Sequence, residues 1–189
     1  MRPDPPGAEQ TRVLTLEAFA DTIVPGEKRS PDDRAIAGAA PGPGAVEAGA
    51  LELLAWDATG ITDALPELVG LLNEHARAFA AEHGAELDDD VPPFVALDFG
   101  QRTALVQRLL DPGHPEKEFW VLLALFSNMA YDSAAHRHTA EALADGHPGL
   151  TAMGFAHPDS DGLWRFPEYS YGRALADLHP DTIESGSLG

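Results

Sequence analysis

The chain contains no cysteine. That excludes disulfides, thiolate metal centres and cysteine nucleophiles together, and leaves the redox compartment open. Basic residues are also few: twelve Lys and Arg stand against thirty-one Asp and Glu, a formal charge of −19 over 189 residues. Such a surface repels phosphate backbones and anionic bilayers, so neither nucleic acid nor a membrane is an expected partner. Long apolar runs are missing. The longest, Phe119 to Ala130, is broken by Ser127 and Asn128 and falls short of the ~20 residues that span a bilayer. The opening MRPDPPGAEQTR has neither an apolar signal core nor paired arginines. The chain as written is therefore expected to be cytoplasmic.

Catalytic signatures are equally scarce. No Gly-x-Gly-x-x-Gly follows a strand and there is no Walker loop; the glycines of 41–49 precede an Ala-rich helix with no strand before them. No cofactor is expected in this chain, and redox chemistry would have to come from another one. Ser127, Ser133 and Ser170 lack the glycine-flanked elbow that exposes a nucleophile. Six of the eight histidines lie between His75 and His147, which raises the question of a metal. On a helix, His136 and His138 point about 200° apart, whereas a helical zinc pair needs its histidines four apart. His75 and His83 share a helical face but are too distant for one ion, and read as helix-end charge and solvation. Asp88–Asp90, Asp57, Asp63 and Glu67 read as a polar connector and helix starts. His157 to Gly162 reads as a polar turn, not a calcium loop. No catalytic, cofactor or metal residue is assigned.

What the sequence does have is helical periodicity. Hydrophobic residues reach 44%, enough for a folded core, and sixteen prolines and eighteen glycines punctuate it. After a leader over 1–10, Val13, Leu16, Phe19, Ala20 and Ile23 share one face of a first helix, Thr11 to Val24, which Pro25-Gly26 stops. A loop over 27–44 leads to a second helix over 44–59 with Val46, Leu51, Leu54 and Ala55 inward. A third helix, with Pro66 in its first turn, runs to His83 on an inner stripe of Leu65, Leu68, Val69, Leu72, Ala76, Phe79 and Ala80. Asp98-Phe99-Gly100-Gln101 has the form of a capping box opening a fourth helix with Leu105, Val106, Leu109 and Leu110. The fifth helix, starting near Pro115, carries Phe119, Leu122, Leu123, Phe126 and Met129. It is apolar nearly all round, which predicts the buried centre of the molecule. A sixth, polar helix is expected over 133–145. From Gly146 the chain reads as an irregular tail with a short helix near 172–178. No stretch alternates with period two. The expectation is a single-domain all-α bundle of five or six helices over 11–145, with a tail over 146–189.

The first break carries a recognisable pattern. Phe19, Ala20, Asp21, Ile23, Val24 and Pro25, then a polar loop, then Gly44, Ala45, Val46, Glu47, Ala48 and Gly49 resemble the gluconate 2-dehydrogenase subunit 3 family. The similarity extends through Phe94 to Leu110, Phe119 to Ala130 and Met153-Gly154-Phe155. The resemblance implies a small helical subunit that accompanies a flavoprotein of the glucose–methanol–choline (GMC) oxidoreductase type and assists its folding, solubility or transport. FAD is then expected in the partner and not here. This chain departs from the family after Tyr131-Asp132, where Ser133-Ala134-Ala135-His136 replaces a Pro-x-Tyr-Gly-Gly-Asn-like stretch. It also lacks the export signal of many relatives, which favours a cytoplasmic complex.

Two surfaces are candidates for contact. The segment over 154–172 packs Phe155, Trp164, Phe166, Tyr169 and Tyr171 among prolines and glycines. Aromatics in such a segment either anchor it on its own bundle or serve as interface hot spots. The alternative reading is a self-sufficient binder or biosynthetic enzyme with a pocket between the fifth helix and the tail. Asn128, Tyr131, Asp132, His136 and His138 would then supply its polar groups, Asn128 and Tyr131 lying one helical turn apart.

Overall fold

The computed structural model describes residues 7–164. Among them are eight α-helices and no strand: α1 (Ala8–Ile23), α2 (Ala50–Leu54), α3 (Leu65–His83), α4 (Pro93–Ala96), α5 (Phe99–Leu109), α6 (Lys117–Asp132), α7 (Thr139–Ala144) and α8 (Pro148–Ala152). Short 3-10 turns, Asp57–Thr59 and Thr62–Ala64, join α2 to α3. The chain is all-α, as its periodicity predicts.

The centre of the bundle is α1, not the fifth helix of the sequence reading, which is α6. Seven consecutive residues of α1, Thr15 to Asp21, are buried, and α1 packs on α2, α3, α4, α5 and α6. Ala18 and Ala20 are small enough for neighbouring helices to approach closely, and Phe19 meets Phe94 at a ring-centroid distance of 6.2 Å. Helix α6 buries Trp120, Leu123, Ser127 and Ala130. Its opposite face is open, with Val121 39% exposed, Leu122 37% and Leu125 46%, and Phe119 in its first turn is 51% exposed. Phe126 and Met129 are only partly buried. An all-round apolar helix need not be central, because composition does not show which side its neighbours occupy.

Several boundaries differ from expectation for local reasons. Helix α1 starts at Ala8, inside the expected leader, after Gly7 at φ +93°. The second helix is only Ala50–Leu54, with residues 45–49 in turns, because Gly49 takes φ +89°. Ala55, expected inward, is exposed. Helix α3 matches its expected stripe, all seven residues being buried, and ends on Gly84 at φ +64°. The capping box forms: Asp98 Oδ1 accepts from the Gln101 amide at 2.8 Å, and Gln101 Oε1 accepts from the Asp98 amide at 3.0 Å. The expected sixth helix survives only as Thr139–Ala144. Ala134 turns left-handed at φ +48°, and the Ser133 amide still donates to Met129 O at 3.2 Å, so α6 stops there.

Compact packing continues through Phe155, past the expected end of the bundle at Asp145. Leu150 of α8 is fully buried with Ala134, Ala142 and Leu143. A Cβ on Gly149 would come within 2.1 Å of Tyr131 O, so α8 lies directly against the end of α6. The second unit begins at Ala156. Its described part, 156–164, is a turn in which Gly162 N–H donates to Asp159 O at 2.8 Å and Trp164 Nε1 to Ala156 O at 2.8 Å.

Candidate functional site

The Phe19–Pro25 and Gly44–Gly49 motif builds a structural clasp. Pro25 ends α1, and the chain returns so that the Ala45 amide donates to Val24 O at 3.0 Å and the Glu27 amide to Gly42 O at 2.8 Å. The two passes touch at Gly26 and Gly44: a Cβ on Gly26 would sit 2.5 Å from Gly44 N, and one on Gly44 would sit 2.6 Å from Gly26 N. Only glycine fits either position. Asp21, fully buried, accepts from the Gly26 amide at 3.1 Å and the Ala37 amide at 2.9 Å. Burial pushes its carboxyl above the ordinary aspartate range, against the pull of those amides and of Arg102.

Arg102 fastens the same loop from α5. Its buried guanidinium donates to the carbonyls of Leu97 (2.9 Å), Ala35 (2.6 Å), Arg34 (3.0 Å) and Val95 (2.6 Å). On the other side Arg29 bridges Glu17 of α1 and Asp33. Asn73 joins three helices: it donates to Thr15 Oγ1 at 3.2 Å and Val69 O at 3.0 Å and accepts from the Phe94 amide at 3.0 Å. Each of these groups meets backbone or an opposite charge, which is how a buried polar group is tolerated.

Of the polar residues of the alternative pocket, Asn128, Tyr131 and Asp132 lie near the end of α6, His136 in the turn after it and His138 just before α7. Asn128 Nδ2 donates to Asp132 Oδ2 at 2.7 Å, one turn along α6. Tyr131 is half-buried and His138 exposed. His136 packs on the turn before α2, where a Cβ on Gly49 would lie 2.8 Å from its Nε2, and burial pushes its pKa down. Asp132 Oδ1 and His136 Nδ1 are buried without a hydrogen-bond partner. His147 spends both ring nitrogens on backbone, meeting Ala48 O at 3.0 Å and accepting from the Leu150 amide at 3.3 Å. An open cleft of about 330 Å³ lies elsewhere, between α1 and α3, against Arg12, Asn73 and Arg77.

Of the aromatics expected at an interface, Phe155 is 42% and Trp164 39% exposed. Phe166, Tyr169 and Tyr171 lie outside the described residues, as does the expected helix near 172–178. The open face of α6 was not anticipated from the sequence. Among the described residues no helix is long and apolar enough to cross a membrane. The structure also joins His75, on α3, to His114 and Glu116, in the connector before α6: these residues are distant in sequence and were never paired by spacing.

No curated protein and no solved structure matches this chain. One family does match, over residues 10–189, and so over nearly all of the chain. The clasp, the central α1 and the helices around them thus belong to a member of the family of unknown function DUF5987.

Proposed function

We propose that this chain is a noncatalytic accessory subunit that binds and stabilises a GMC-type FAD-dependent dehydrogenase or oxidase. The open face of α6 is its docking surface. The observation that carries this reading is the exposure of Phe119, Val121, Leu122 and Leu125 along one helix of a chain with a charge of −19. A few large apolar side chains, once desolvated, supply most of an interface's binding energy, and contiguous exposed patches of this kind mark interaction sites. The resemblance of the clasp motif to the subunit 3 family indicates the class of partner. FAD belongs to that partner in this reading, and the complex is cytoplasmic.

The test is purification from the native host, with an absorption spectrum of whatever accompanies the chain. Flavin absorbance should co-elute with it, and Leu122→Asp should abolish co-elution while the helical circular dichroism spectrum is retained. A monomeric, colourless chain with no flavoprotein bound would reject the reading. A second variant locates the surface. Truncation after Asp161 should leave partner retention intact; its loss would move the docking element to Trp164, Phe166, Tyr169 and Tyr171.

A further inference from the structure

We propose that His75, His114 and Glu116 form a binding site for a first-row divalent cation, with zinc the ion that fits the ligand set best. One ligand atom from each residue lies within 4.8 Å of the other two. His75 Nε2 is 2.8 Å from Glu116 Oε2, and the His114 ring stands edge-on to that of His75 at a centroid distance of 5.5 Å. Two imidazoles and a carboxylate are a common three-ligand zinc set, with water as the fourth ligand. Ligand atoms on one tetrahedral zinc are about 3.3 Å apart, given bond lengths near 2.0–2.1 Å. The three groups therefore need only small rotamer shifts to close on an ion. All three are half-buried, so they keep that freedom while being partly shielded from water.

The surroundings favour a cation over a plain ion pair. An ion pair accounts for His75 and Glu116, while His114 uses only its Nδ1, which accepts from the Glu116 amide at 3.2 Å, and keeps its Nε2 for an ion. Trp120 is fully buried against His75 at 5.9 Å between ring centroids, and its indole N–H has no hydrogen-bond partner of normal geometry. Beside the cluster is a cavity of about 190 Å³ that His75 and His114 help to line, large enough for metal-bound water. A cation here would tie α3 to the connector between α5 and α6.

The full chain, stripped with a chelator and dialysed, should be titrated with zinc sulfate in a calorimeter. One saturable site is expected. His114→Ala and Glu116→Gln should each weaken it at least about tenfold, on the scale by which lost metal-site contacts reduce affinity. Both substitutions fall in the connector, and an unchanged circular dichroism spectrum verifies folding. His138→Ala should leave the titration unchanged. Cobalt in place of zinc should give the intense visible bands of a tetrahedral ion, and those bands should disappear in His114→Ala. The absence of saturable zinc uptake would overturn the proposal, as would uptake that survives both connector substitutions.

Discussion

Asp21 and Arg102 illustrate how buried charge organises this protein at the scale of single residues. Neither faces an opposite charge directly. Each is spent on backbone groups of the loop after α1, Asp21 on amides and Arg102 on carbonyls. Removing either would orphan several backbone groups, each costing about 1–3 kcal/mol if left buried and unpaired. Arg29 works differently, through charge. Burial alone would raise the Asp33 carboxyl, but hydrogen bonds from Arg29 and from the Ile36 and Ala35 amides outweigh it and hold the group below 3.8. A depressed carboxyl stabilises the fold fully above its unfolded value, and that contribution drains away as pH falls through the folded value. Arg29→Met should thus cost about 1 kcal/mol near neutral pH, a modest figure because the guanidinium is half-exposed. The gap in melting temperature between variant and wild type should narrow as pH drops below 3.8. A gap that stays constant into acid would mean that Arg29 acts through its aliphatic stem instead.

At the scale of elements, α1 and α6 exchange the roles that composition suggests. Helix α1 carries Thr15, Glu17 and Asp21 among its buried residues, so it reads as a surface helix with one apolar face. Each of those polar groups finds a partner, and the helix is enclosed. Helix α6 reads as the buried one, yet half its circumference is open. Two adjacent leucines separate these faces: Leu123 is 1% exposed and Leu122 37%. Leu123→Ala should lower the unfolding free energy by about 2–5 kcal/mol, the range for a buried leucine truncation. Leu122→Ala should cost about 1 kcal/mol or less, because it removes little buried area. Chemical denaturation of both variants measures the difference. Equal costs would mean that the open face is covered in solution.

For the whole molecule, the core assembles from residues up to Phe155. The main cluster runs from Leu16 to Leu123, and the smaller clusters close with Ala130 and Leu150. A chain ending at Phe155 should therefore keep its helical spectrum and melt in one cooperative transition, as a self-contained domain does. A broad, noncooperative melt of that truncated chain would show that its core depends on later residues.

The all-α class, the α3 stripe, the capping box at Asp98 and the stop at Pro25-Gly26 were legible in the sequence, because each rests on local spacing or on the chemistry of one residue type. The second helix begins later than its expected start because Gly49 takes φ +89°, and the space a side chain would fill there is taken by His136, a contact between distant segments. The same holds for the close approach of Gly26 and Gly44, and for the union of His75 with Glu116 across 41 positions. Periodicity shows which side of a helix is apolar. Which helix is enclosed depends on where its neighbours lie, and that is settled only when Ala18, Ala20 and the paired polar groups of α1 let five helices close around it.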